Sequence, residues 1–264
     1  MKQLKHFFLF VIIALLISLA GVSQANTFEQ VLKTGTIRIG VSLFEPWAIK
    51  NKDGELDGFE IQIAKQLAKD LGAKPEFKVV EWENLIDALE SKEIDVIIAG
   101  MAITPERALR INFSNPYASS GISLAACISQ TEDMQSLDEL NNPKVTIGAV
   151  SNTVSEQLAG QVFSKAKIKS FVKSEDAINA VLEGEIHALV ESSPGPKLLA
   201  MKYPEQVDVP LSKPLLSYRT GMAVNRGEQE FLNYLNAWIT ARDAEGWLPA
   251  KHKYWFESLE WKKD

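Results

Sequence analysis

One stretch of this chain is written twice. Residues 83–100, ENLIDALESKEIDVIIAG, align without a gap on residues 175–192, EDAINAVLEGEIHALVES, with Glu, Ile, Ala, Glu and Ile identical. Each copy joins an amphipathic helix to an apolar strand. Any helix-plus-strand pair shares part of this pattern, but two copies of one α/β plan argue for two similar lobes. The alignment sets Gly100 opposite Ser192, each just past the carboxyl end of its strand.

The neighbouring segments keep the same grammar. In the first half, Thr36–Val41 reads as a strand and Asp53-Gly54 as a hairpin turn. DGFEIQIAKQLAKDLG then has Phe59, Ile63, Leu67 and Leu71 four apart, Asp57 and Glu60 at capping-box spacing, and Gly72 at the C′ position. A strand over Phe77–Val80, a helix over Glu83–Leu89 and a strand over Ile94–Ala99 follow. The second half offers strands at Val145–Val150, Ile168–Val172 and Ile186–Glu191, with helices over Thr153–Phe163 and Ser174–Glu183. Strands alternating with helices imply mainly parallel sheets joined by right-handed crossovers. Two long β-prone stretches, at 119–129 and 215–224, follow the two copies and read as a two-strand hinge. The tail, with helices over Glu228–Arg242 and Leu248–Trp255, is expected to return to the first lobe.

The first residues stand apart. Lys2 and Lys5 precede an apolar run from Phe7 to Ala20 broken only by Ser18, and Ser23-Gln24-Ala25 supplies a small-x-small site. That is the pattern of a secretory signal peptide cleaved after Ala25. The formal charge of −6 becomes −8 once the leader's two lysines are removed, which disfavours nucleic acid and anionic membrane as partners. Cys127 is the single cysteine, so a buried inert thiol is expected rather than a disulfide.

Chemistry-bearing residues are sparse. After the leader the histidines are His187 and His252, without metal-ligand spacing, and His187 falls on an expected buried strand. HExxH, CxxC, GxGxxG and P-loop patterns do not occur, so catalytic residues, metal and cofactor are all read as none. Arg107 is different, because a guanidinium matches a carboxylate's two oxygens with a rigid fork of donors. On spacing alone it is equally an exposed helix arginine. Thr153 and Glu156 have capping-box spacing, so Thr153 and Val154 offer free N–H groups to an anion or cap a helix with nothing bound. Phe44, Trp47 and Trp82 fall in loops after strands, where aromatics either stack on a ligand or pack.

With these residues in place, DGFEIQIAKQLAKDLG, AGMAITPER, NPY at 115, EGEIHALVESSP and the ending ITARDAEGWLPAKHKYWF resemble the periplasmic amino-acid-binding proteins of ABC importers, solute-binding family 3. The likeness runs in order over nearly the whole chain after the leader. It implies a two-lobed periplasmic-binding-protein fold of type II that closes on one small solute without catalysis. It also implies that Arg107 clamps a ligand α-carboxylate, with Thr153 and Val154 holding it from the second lobe. Gly100 and Ala102 would meet the ligand through backbone groups, and Phe44 and Trp82, flanked by Trp47, would sandwich its side chain. Two positions depart from the family. Ala102 replaces the usual hydroxyl, and Ser192 replaces the aspartate that usually binds the α-ammonium. Glu191 is adjacent, but alternate strand residues face opposite sides, so it substitutes only if the strand has ended.

The resulting expectation is a monomeric periplasmic protein that carries a small carboxylate, an amino acid first, to an ABC permease in the inner membrane. Its parts are a leader (1–25), lobe 1 (26–118 and 223–264), hinge strands (119–124 and 216–222) and lobe 2 (125–215). Two rivals stand beside it: a periplasmic enzyme resembling cyclohexadienyl dehydratases, with Glu191 as its acid, and a ligand-sensing partner of a membrane receptor.

Overall fold

The computed structural model describes residues 26–134, 136–258 and 260–262, so the expected leader lies outside the described residues. The chain opens with α1 (Thr27–Thr34), β1 (Thr36–Val41) and a small antiparallel hairpin of β2 (Ile49–Lys50) and β3 (Leu56–Asp57) around the expected turn. Then come α2 (Phe59–Asp70), β4 (Lys74–Val79), α3 (Leu85–Glu90), β5 (Val96–Ile97), α4 (Pro105–Ala108) and β6 (Asn112–Phe113). The long β7 (Ala118–Cys127) crosses over, followed by α5 (Ile128–Thr131), β8 (Thr146–Val150), α6 (Val154–Val162), β9 (Lys167–Phe171), α7 (Ser174–Leu182), β10 (Ala188–Ser192) and α8 (Gly195–Lys202). After β11 (Val207–Asp208), β12 (Leu216–Thr220) brings the chain back to β13 (Ala223–Val224), α9 (Gln229–Ala244) and α10 (Trp247–His252).

Two sheets result. The first has the order β4-β1-β5-β13-β6, with β1 parallel to both β4 and β5. The second has the order β11-β7-β10-β8-β9, with β8 parallel to β10 and β9 and with β12 paired to β7. β7 serves two partners along its length. Residues 118–122 pair antiparallel with β12, and residues 122–126 pair antiparallel with β10. The lobes are thus joined by the adjacent strands β7 and β12.

Apolar side chains cover both faces of each sheet, as buried parallel strands require. In the first lobe Ile37, Ile39 and Val96 pack with Phe59, Ile63 and Leu67 of α2, and the tail returns here through Phe231, Leu235 and Trp238. In the second lobe Ile147 and Val190 pack against Ala159 of α6 and the following Phe163, and Leu189 packs against Ala177 and Val181 of α7. The internal repeat extends into these cores. A Cβ on Gly40 of β1 would lie 2.3 Å from Cδ1 of Ile94, and one on Gly148 of β8 would lie 2.4 Å from Cδ1 of Ile186. Both lobes therefore seat the repeated isoleucine in the notch of a strand glycine.

Three expectations are corrected. The Asp57/Glu60 capping box does not form, because Gly58 occupies the N-cap without a side-chain bond and Glu60 is buried against Tyr117. The Ile94–Ala99 strand shrinks to Val96–Ile97; at its start the Asp95 carboxylate accepts the Arg38 N–H at 2.7 Å, while the Asp95 and Ile98 N–H groups still donate to the Arg38 and Gly40 carbonyls of β1. His187 is half-buried just before β10, where its Nδ1 accepts the Thr146 N–H at 3.2 Å. Cys127 ends β7 as a buried free thiol.

Candidate functional site

A cleft of about 410 Å³ lies where the carboxyl ends of β1, β4, β5, β8, β9 and β10 converge from both lobes. Open α/β sheets present their ligand sites at those ends, because the connecting loops there are free to carry polar groups. Every residue singled out from the sequence lines this one cleft: Phe44, Trp47, Trp82, Gly100, Ala102 and Arg107 from the first lobe, and Thr153, Val154, Glu191 and Ser192 from the second.

Arg107 sits in α4, whose N-cap Thr104 accepts the Arg107 N–H. Its guanidinium is half-buried and divided between the lobes. Nη1 donates to the Ala102 carbonyl at 3.0 Å and Nη2 donates to the Asn152 carbonyl at 3.1 Å. The charge also lies over the Trp82 ring, 5.3 Å from its centroid. Trp82 Nε1 donates to the same Asn152 carbonyl at 3.1 Å, so two first-lobe donors meet one second-lobe oxygen. Burial lowers the Arg107 pKa from its ordinary value, yet an arginine remains a cation at any physiological pH. Its guanidinium donates to backbone carbonyls, and the neighbouring Glu106 acts on its charge only from beyond salt-bridge distance.

Opposite it, α6 starts as the capping signal indicated. Thr153 Oγ1 accepts the Glu156 N–H at 3.1 Å, and Glu156 reaches back to the Asn152 N–H at 2.8 Å. The first-turn N–H groups of Val154 and Ser155 have no partner within their own helix, and both residues line the cleft. The arrangement places a helix N-terminus and a guanidinium around one space, a setting that favours an anion.

Glu191 and Ser192 need a correction. β10 runs through Ser192, so alternation predicts that only one of the two faces the cleft, yet both do. Pairing of β10 with β8 stops at Leu189, and the strand end is held by β7 alone. Freed on that side, Glu191 reaches the starts of α7 and α8. Its Oε1 accepts from Ser174 Oγ at 2.8 Å, and its Oε2 lies 2.7 Å from where a Gly195 Cβ would stand. Burial pushes its carboxyl up to about 7, against the pull of the Ser174 hydroxyl. Ser192 Oγ accepts from the Tyr218 hydroxyl at 2.8 Å.

Two of these lining residues also have packing roles. Trp47 is a core residue at 3 % exposure, edge-on to Phe59 and 4.6 Å from the Phe256 ring, and only part of it reaches the cleft. Gly100, at φ +64°, is glycine because a Cβ would meet Trp47 Cε3 at 2.8 Å, so the close approach it permits is to Trp47. Ser155, Ser174 and Tyr218 line the cleft without having been singled out. Tyr218 lies on the strand read as the hinge return and Ser174 begins an expected helix, and those positions were the available signals.

The chain belongs to the bacterial extracellular solute-binding proteins, family 3, whose family model matches residues 37–258. It is a two-lobed α/β protein of the type II periplasmic-binding class. It is 26 % identical over 240 residues to the L-cystine-binding protein of Escherichia coli K12, covering 90 % of this chain and 89 % of that one. It is 24 % identical over 246 residues to cyclohexadienyl dehydratase of Pseudomonas aeruginosa, covering 93 % and 91 %. A solved binding component of an ABC transporter from Wolinella succinogenes, complexed with lysine, superposes with a TM-score of 0.80 at 28 % identity, covering 87 % of this chain and 99 % of that one. Among the described residues, no helix is long and apolar enough to cross a membrane.

Proposed function

We propose that the cleft binds a free α-amino acid, that the lobes close on it about β7 and β12, and that the loaded protein serves an ABC permease from the periplasm. The observation that carries this reading is Arg107, a half-buried cation beside a helix N-terminus at the cleft, with no salt-bridge partner among the described residues. In this reading Arg107 and the α6 start hold the α-carboxylate, backbone groups at Gly100 and Ala102 border it, and Phe44 and Trp82 flank the side chain. Glu191 takes the α-ammonium in place of the aspartate that Ser192 displaces, with Ser192 and Tyr218 beside it. The lobe boundaries at 119–124 and 216–222 and leader cleavage after Ala25 are part of the same proposal.

A fork donor facing a carboxylate in a desolvated site is worth several kcal/mol. Arg107→Ala is therefore expected to weaken amino-acid binding by ~2–5 kcal/mol in calorimetry. Arg107→Lys restores only part, because an ammonium lacks the fork. Unchanged binding in the alanine variant removes Arg107 from the site.

The dehydratase relative and the raised carboxyl of Glu191 together support one alternative, an enzyme with Glu191 as general acid. The other charged side chains of the cleft apart from Arg107 are the exposed Glu81, Lys173 and Glu175. Incubating the protein with prephenate or arogenate separates the two readings, since turnover above a Glu191→Gln control favours the enzyme.

A further inference from the structure

Resting on the amino-acid site just proposed, we infer that the side chain of the bound amino acid is bulky and uncharged. The first observation is where apolar surface has been left uncovered. Among the described residues seven large hydrophobic side chains are exposed, and three of them line this cleft: Leu43 (41 %), Val79 (48 %) and Val172 (50 %). They come from both lobes and continue inward to Phe44 and Val80. Isolated exposed apolar residues need no explanation, whereas a set gathered from two lobes around one opening marks a surface that something apolar covers.

The second observation is the inventory of charge. If Arg107 and Glu191 hold the two ends of the α-amino acid, the enclosed part of the cleft keeps no further charge for a side-chain ion. Glu81, Lys173 and Glu175 stand at the lining's exposed positions and carry both signs, so they make no defined counter-ion. A lysine or arginine side chain would leave water for an apolar wall without a paired acid, and an aspartate or glutamate side chain would meet no second buried cation.

The third observation concerns Trp82, the partly buried indole that lines the cleft beside Phe44. Arg107 already lies over that ring, and the indole N–H is already given to Asn152. A ligand guanidinium beside that ring would approach a like charge. The size of the cleft, about 410 Å³, falls in the range of sites for ligands larger than glycine or alanine, which would leave most of the apolar wall wet. The inference sets this chain apart from the relative complexed with lysine.

The test is calorimetry of the leader-free chain at pH 8 with phenylalanine, leucine, methionine, alanine, lysine, arginine, glutamate and cystine. The best of phenylalanine, leucine and methionine is expected to bind at least tenfold tighter than lysine, arginine, glutamate or alanine. Val172→Asp, a change at an exposed position, is expected to weaken that ligand at least tenfold and to improve lysine relative to it. Lysine or arginine as the tightest ligand overturns the inference while leaving the amino-acid site standing. Cystine as the tightest ligand also overturns it, and assigns Glu81, Lys173 and Glu175 to a second charged head. If no amino acid binds, the amino-acid site itself falls, and this inference with it.

Discussion

Two buried carboxyl groups, Glu60 and Glu191, differ in what their protons control. Glu191 faces the ligand space, and burial holds it near 7. An α-ammonium needs the carboxylate, so below that value binding must first expel a proton. Amino-acid affinity is expected to be greatest near pH 8, where Glu191 is ionised and the ligand amine still protonated, and to fall toward tenfold per unit as pH drops below about 7. Calorimetry across pH reads this, and Glu191→Gln should weaken binding and flatten the profile. Glu60 acts on the fold instead. Burial lifts it to about 8, with the Tyr117 hydroxyl and the Gly100 amide pulling it back. The folded chain then holds a proton that the unfolded chain releases near 4.5, so this contribution to stability is full below 4.5 and is lost as pH rises to about 8. Thermal unfolding of the wild type should lose stability from pH 5 to 9 more steeply than Glu60→Gln; parallel slopes would remove Glu60 as the cause. Gly100 and Thr153 were legible because a glycine after a strand and a capping spacing are local signals, whereas the place of Arg107 came from the family resemblance. The sequence misplaced Glu60, whose spacing from Asp57 looked like a cap, because its burial depends on Tyr117, far along the chain.

At the scale of elements, the repeated glycine–isoleucine seat makes a symmetric prediction. A methyl on Gly40 or Gly148 must displace the terminal methyl of Ile94 or Ile186, both of which are buried. Overpacking of this kind costs ~1–3 kcal/mol, so Gly40→Ala and Gly148→Ala are each expected to destabilise by that amount in urea unfolding. A loss in only one variant would show that the two notches are not equivalent. The helices over 59–70 and 154–162 were legible because their period is local. Strand ends were less so. At the start of β5 the Asp95 side chain takes the Arg38 N–H, and β10 loses its β8 partner before Glu191, and both features depend on pairing partners that periodicity does not reveal.

For the whole molecule, the connection through β7 and β12 predicts motion without refolding. Adding a saturating amino acid is expected to lower the radius of gyration while the far-ultraviolet dichroism stays unchanged, because hinge closure moves bodies and keeps their elements. Scattering curves that coincide with and without ligand would count against closure. The two-lobed plan itself was readable from the internal repeat, since a duplicated α/β unit builds its own core. Which loops face each other across the cleft came only from the family resemblance, because that depends on how two independent sheets are set by their joining strands.

The carbonyl of Asn152 gives this arrangement a mechanical reading. Arg107 divides its grip between an oxygen of its own lobe and this one from the other, and Trp82 holds the same oxygen. Any force that draws the lobes apart must break both of the bonds to Asn152 together. The same pull also loosens the guanidinium that, in the proposed reading, holds the ligand carboxylate. In the proposed reading, opening the lobes and releasing the ligand are coupled through this one oxygen.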